Sequence, residues 1–385
     1  MKSSLLLLTR YPYPPVGGDK VKSHNLIKIL ARNFNLKVII ITDEAYDEQA
    51  EKFLKENVNS YSVFRFASNK FKINILKGLF KKTPIQVSYY YFPKVHKKIK
   101  QDIENSDIVI ANLIRTTRYL EKTEKKKYLD IVDAIGLHYI EATKKTTSLF
   151  WKILYAIEGK RVLKYEIKCV SNFNCTFFVN KQEAETYSQY GNTTWIPNGV
   201  DSKLLSYNSS PDINSRKVVF FGKMNYQPNV EAISWYIDHV HKHLPDDYEF
   251  IILGTSPSKK VLKKAKAYNN IKVTGYVENP YEILCSCSLA VAPMQIGGGI
   301  QNKVLESMAL GQINVLTSKV ANPITGATSG VHFLVEDDPL KMANLIRDIL
   351  NDRDSYVSIG KNAREIIRNN YTWKQYEDKL LRILT

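Results

Sequence analysis

A chain of 385 residues, 44% hydrophobic and 24% charged, has material for two buried cores, which excludes both a small single domain and a disordered or fibrous chain. Its longest apolar run near the start, Leu5–Leu8, is too short for a membrane span or a signal peptide, so a cytoplasmic protein is expected. The net charge of +17 is uneven: residues 1–200 hold a surplus of 14 positive charges and residues 201–385 a surplus of 3, which calls for an anionic partner.

The elements alternate from the start. Ser4–Leu8 predicts a strand, followed by a Pro/Gly-rich loop from Tyr11 to Gly18. Asp19–Asn33 places Val21, Leu26, Ile27, Ile29 and Leu30 at helical spacing, and Leu36–Thr42 is a continuously apolar strand suited to burial on both faces. Strand, helix, strand within about forty residues is a βαβ unit and implies a parallel sheet. Residues 107–111, 128–132 and 175–179 continue the pattern.

The polar segment 204–216 reads as a linker, after which the same grammar restarts. Strands are expected at 217–222, 249–254, 271–275, 289–292 and 313–317, and helices at 229–244, 261–268, 302–310 and 340–351. The tail from Tyr356 to Leu384 is helical in pattern. The expected architecture is α/β, with two doubly wound, Rossmann-like parallel-sheet domains facing a central ligand cleft. Their expected bounds are 1–203, a linker at 204–216, 217–365, and a C-terminal helix at 366–385 packing back on the first domain.

Chemistry concentrates in Pro293–Leu310. Three glycines, Gly297, Gly298 and Gly299, follow a strand, and a helix opens at Asn302. Glycines let a ligand approach the backbone, and the first helical turn offers unpaired N–H groups and a positive dipole end, a setting for a diphosphate. Lys303 adds a cation, and Glu306 is placed to accept from a ribose diol. The spacing matches neither a Walker A loop nor the dinucleotide fingerprint. Asp130, Asp133 and His138 cluster after a strand of the first half. A carboxylate there is a candidate for acceptor contact or charge stabilisation, as well as for an ordinary loop cap. The four cysteines read as small buried hydrophobes, and without a persuasive Asp-x-Asp pair no metal is expected.

Between Asn57 and Gln101 there is no acidic residue, while ten basic ones occur. Ile75, Leu76, Leu79 and Phe80 fall at helical spacing beside Lys72, Lys77, Lys81 and Lys82, with Tyr89–Phe92 as an aromatic flank. A basic amphipathic helix of this kind suits an anionic membrane surface. Single-stranded nucleic acid also accepts lysines mixed with aromatics, but no nucleic-acid module is present, and no nucleic-acid partner is expected.

The glycine stretch resembles the nucleotide-sugar motif of retaining glycosyltransferases with the GT-B fold, in the family 4 or family 1 group. Four further segments resemble that family in its order: Pro14–Gly18, Ile196–Asp201, Phe221–Asn229 and Gly275–Val277. The resemblance implies a nucleoside diphosphate sugar as donor substrate and no separate cofactor. It assigns donor contacts to Gly18, Lys223, the nucleobase-reading strand end at Tyr276 and Val277, the three glycines, Asn302, Lys303 and Glu306. It further implies a glycan or lipid-linked acceptor, metal-independent transfer with retention, and work in bacterial surface polysaccharide assembly at the inner face of the plasma membrane. The sequence departs from the family at Gly298, where relatives carry a first, sugar-holding glutamate, and at Pro228, near an expected lysine. That departure permits a non-catalytic binding partner, and a nucleotide-sugar epimerase of the same fold, which would need acid/base residues in the cleft, is the other open reading.

Overall fold

A computed structural model describes residues 1–15, 17–79, 83–146, 149–207, 215–296 and 299–385. The chain divides into two compact units, Met1–Pro197 with Glu377–Thr385, and Asn198–Tyr376.

The first unit is built on seven parallel strands: β1 (Ser3–Leu8), β2 (Asn35–Thr42), β3 (Ser60–Arg65), β4 (Ile108–Asn112), β5 (Lys126–Ile131), β6 (Cys175–Phe178) and β7 (Thr193–Trp195). Their order is β3-β2-β1-β4-β5-β6-β7, so chain direction across the sheet reverses between β1 and β4. Leu6 lies in register with Val38 on one side and Ile110 on the other. All three are fully buried, which is why β1 reads as an unbroken apolar run. The helices are α1 (Gly18–Asn33), α2 (Glu48–Asn57), α3 (Ser68–Leu79), α4 (Ile85–Tyr89) and α5 (Pro93–Glu104). After β5 come α6 (Ile135–Lys145) and α7 (Leu149–Asn172), an antiparallel pair, and then α8 (Lys181–Tyr187). Gly136 permits the close approach of α6 to α7, because a Cβ there would fall 2.7 Å from the Leu163 backbone nitrogen.

The second unit repeats the plan with six parallel strands: β8 (Lys217–Phe221), β9 (Glu249–Leu253), β10 (Ile271–Gly275), β11 (Leu289–Ala292), β12 (Asn314–Leu316) and β13 (Leu334–Val335). The order β10-β9-β8-β11-β12-β13 reverses between β8 and β11. Its helices are α9 (Gln227–Trp235), α10 (Lys259–Ala265), α11 (Pro280–Ser286), α12 (Asn302–Ala309), α13 (Ser318–Ala321), α14 (Pro339–Asn351) and α15 (Val357–Asn370). The last helix, α16 (Trp373–Leu384), begins in the second unit and ends in the first. The single helix expected over 229–244 is instead α9 followed by a π-helical turn at Tyr236–Val240 and a 3-10 turn at His241–His243.

The unit borders differ from those read in the sequence. The first falls at Pro197/Asn198 because Val200 donates its N–H to the Tyr371 carbonyl and pairs with Thr372, tying this segment to the second unit. The second falls at Tyr376/Glu377, so α15 stays with the second unit. Most of the expected linker, 208–214, lies outside the described residues. Among the described residues, no helix is long and apolar enough to cross a membrane, and all four cysteines are buried free thiols.

Candidate functional sites at the strand ends of each unit

In the first unit a small cavity opens at the carboxyl ends of β1 and β4, where the sheet reverses. Arg10, Asp19, Lys20 and Ser23 line it beside Asn112, and Gly18 is the exposed first residue of α1. Asp130, expected to meet an acceptor, does not face it. The side chain is 1% exposed and ion-paired with Lys22, itself 1% exposed, and its second oxygen accepts from Asn112 Nδ2 at 2.9 Å. A carboxylate so enclosed, with both oxygens taken, is a structural group. Sequence reading missed Lys22, although it stands one turn before Leu26 on the apolar stripe of α1.

Asp133 and His138 do come together, at the start of α6, and two unforeseen acids join them. His138 Nε2 lies 3.0 Å from Glu183 Oε1, while Glu183 Oε2 accepts the Ala134 N–H at 2.9 Å. That bond holds the imidazole above the usual histidine range against the opposing effect of burial. Asp133 is pushed up by burial, opposed by His138. Glu166, buried beneath Gly136, accepts that residue's N–H and the Tyr187 hydroxyl, yet burial drives it up to about 7. Glu183 comes from α8 and Glu166 from α7, so only the fold brings them to α6.

In the second unit the site forms where β8 and β11 part. Gly222 closes β8 with φ 146°, and Gly254 closes β9 with φ 148°. A Cβ on Gly254 would fall 1.8 Å from the Gly222 carbonyl oxygen, so the two backbones approach this closely only because residue 254 is glycine. Beside Gly222, Lys303 Nζ donates to Asn229 Oδ1 at 2.5 Å and lies 4.4 Å from the centroid of the Phe220 ring. Asn229 is fixed in turn by donating Nδ2 to the Lys223 carbonyl at 2.9 Å. Among the described residues no carboxylate pairs with Lys303. Desolvation alone lowers its ammonium to about 7.

One turn along α12, burial raises the Glu306 carboxyl to about 7, with the Tyr281 hydroxyl donating to it at 3.4 Å. Asn302 opens the helix and accepts from Asn198 Nδ2 at 3.3 Å, an amide that comes from the Pro197–Val200 segment. Lys223 is exposed on the loop after β8, and Tyr276, 75% exposed, follows β10 with Val277. Gly299 takes a left-handed φ of 67°, whereas Gly297 and Gly298 lie outside the described residues. Lys303 and the opening turn of α12 thus sit beside the glycine that closes β8, with the Glu306 carboxyl one turn along, while the exposed Tyr276 follows β10. A helix N-terminus with a lysine beside it suits a phosphate group.

Of the expected membrane lysines, Lys72 is exposed on α3, which buries Phe71 and exposes Ile73 and Leu76. The side chain of Lys77, and Lys81 and Lys82 altogether, lie outside the described residues. Among the described residues no group of three acidic, histidine or cysteine side chains could hold a metal ion.

Known proteins share this plan. The chain is 23% identical over 392 residues to an uncharacterized 44.6 kDa protein in the cps region of Klebsiella pneumoniae, covering 97% of this chain and 98% of that one. It is 23% identical over 398 residues to an uncharacterized glycosyltransferase of Methanocaldococcus jannaschii, covering 97% and 96%. The structure superposes on Anabaena HepE in complex with UDP and glucose with a TM-score of 0.70 and 16% identity, covering 99% of each chain. That likeness fixes the fold as GT-B. Residues 215–352 match the family described as glycosyl transferases group 1. The second unit therefore carries a glycosyl transferases group 1 domain, and the protein is a glycosyltransferase of GT-B fold.

Proposed function

We propose that this glycosyltransferase moves a sugar from a nucleoside diphosphate sugar to a glycan or lipid-linked acceptor during assembly of a bacterial surface polysaccharide. The observation that carries the donor half is Lys303, a desolvated ammonium with no carboxylate partner among the described residues, held by Asn229 beside the opening turn of α12. An arriving diphosphate supplies the missing negative charge, and Lys223 and the Asn302 amide add to its field. Glu306 accepts from the ribose, the base lies against Tyr276 and Val277, and Gly299 faces the phosphates. As the leaving nucleoside diphosphate gains charge, Lys303 and the helix dipole stabilise it, so no metal ion is required of the mechanism. On the acceptor side, Asp133 takes the acceptor hydroxyl as hydrogen-bond partner, and His138, whose charged form the Glu183 carboxylate favours, stabilises negative charge there.

The HepE complex with UDP and glucose and the cps-region relative support the donor class and the setting. Retention of anomeric configuration follows the family resemblance. The basic surplus of the first unit supports a position on the inner face of the plasma membrane, where a lipid-linked acceptor would be presented. Incubation with a panel of nucleotide sugars, with and without lipid-linked acceptors, should release nucleoside diphosphate from at least one donor. Absence of release under every combination would overturn the proposal.

A further inference from the structure

The apolar character of α7 is divided along its length. Its second half buries Val162, Tyr165, Cys169 and Val170 in the core of the first unit. Its first two turns do the opposite. Leu149 and Phe150 are 72% and 69% exposed, and Trp151, Ile153 and Ile157 are each close to half exposed. Five large apolar side chains in nine residues form a contiguous patch, stiffened by an aromatic row: Phe150 meets Trp151 at 5.5 Å between centroids, Trp151 stacks on Tyr155 at 5.6 Å, and Tyr155 meets Tyr139 at 5.2 Å. A soluble monomer rarely leaves such a patch uncovered.

The charges around it define what covers it. From Ala142 to Ile157 there is no acidic residue, while Lys144, Lys145 and Lys152 occur, and Lys152 and Lys160 are exposed on α7 itself. The first acid, Glu158, is turned inward and accepts the Ile85 N–H of α4. Helix α4 also packs on α3, where a Cβ on Gly78 would fall 2.6 Å from the Ser88 side chain. Helix α3 in turn presents Ile73, Leu76, Lys70 and Lys72 to solvent. Apolar and aromatic tips flanked by the exposed lysines of α7 and α3 match an interface of acyl chains beneath anionic head groups. A protein partner would have to meet the apolar centre and the lysines with separate features.

We propose that the first two turns of α7, residues 149–157, insert into the surface of an anionic lipid bilayer and are the main apolar anchor of this protein. The proposal rests on the membrane reading above and moves its apolar contribution from α3 to α7. The lysines of both helices draw the first unit to the surface, and Phe150, Trp151 and Ile153 hold it there.

The test uses the full chain with vesicles of phosphatidylglycerol and phosphatidylethanolamine, and with phosphatidylcholine vesicles as the neutral control. The wild type should sediment with the anionic vesicles, with a blue shift of tryptophan emission that W151F removes, although three other tryptophans remain. The double variant F150S/I153S should lose binding by roughly tenfold or more, because both side chains exchange lipid for water. Both positions are exposed, so its thermal unfolding and its donor-only nucleoside diphosphate release should match the wild type. A wild type that ignores anionic vesicles would overturn the membrane reading and this proposal together. A wild type that binds, with F150S/I153S binding equally and Trp151 unshifted, would overturn the α7 anchor alone. So would light scattering that shows a lipid-independent dimer dispersed by F150S/I153S, since the patch would then be covered by a second copy.

Discussion

The two units share a strand plan but treat charge at their strand ends in opposite ways. In the first, buried charges are already answered by the protein: Lys22 by Asp130, Asp130 also by Asn112, and His138 by Glu183. In the second, Lys303 has a neutral amide and an aromatic ring, and Glu306 has a single phenol. Both are driven toward neutrality by burial. An answered charge stabilises or positions the fold, whereas one left without its counter-ion is completed by a ligand. The contrast explains why the donor class can be argued more closely than the acceptor.

The contrast can be broken most severely at the first unit's buried pair. Asp130→Ala leaves Lys22 buried and uncompensated beside the carboxyl end of β5 and should lower stability by about 3–5 kcal/mol, read as a loss in urea midpoint. Replacing both partners with apolar residues should restore much of that loss, and a small effect of the single change would mean the pair is not structural. Next in size, Lys303→Met removes the cation that awaits the diphosphate while keeping its packing on Phe220. Nucleotide-sugar turnover should fall about 100-fold, with the fold retained by circular dichroism. Unchanged turnover would leave the second unit's lone charge without a purpose.

The smallest effect is the most diagnostic. Lys303 in the free site gives up its proton near pH 7, well below the ordinary lysine value, and must regain it to meet a diphosphate. Nucleoside diphosphate affinity should therefore decline as pH rises above about 7, by up to about tenfold per pH unit, since one proton is taken up. Glu306 has the opposite sign: its carboxyl stays protonated below about 7 and must ionise to accept from a ribose. Calorimetry in buffers of different ionisation enthalpy should show the two proton movements largely offsetting near pH 7. Glu306→Gln should then expose net uptake. No change in proton count on that substitution would separate Glu306 from the ribose.

Much of this was legible in the sequence. Buried parallel strands such as β1, β2 and β4 are continuous apolar runs, and two such series in one chain announce two sheets. Strand β3 was not, because Ser60–Arg65 is only half covered, and β13 is two residues long. In the candidate donor site, Lys303 and Glu306 share one helix and could be read together. The α6 cluster could not, since Glu166 and Glu183 reach it from separate helices. Asp130 misled because a carboxylate at a strand end looks the same in sequence whether it faces solvent or a buried lysine. Local spacing reports which face of an element a residue takes, not what the next element brings against it.

The path of the C-terminus has a consequence for how the protein is made. The first unit counts Glu377–Thr385 among its own residues, and Glu377 binds Arg32 and Asn33 while Lys379 covers Trp195. Although its sheet is finished by β7, this half cannot complete its packing until residues 377–385 have left the ribosome. At roughly 5–20 residues per second, the second unit's entire synthesis passes in between. A nascent chain that folds from its front end must therefore hold the first unit open along that flank until the final helix arrives.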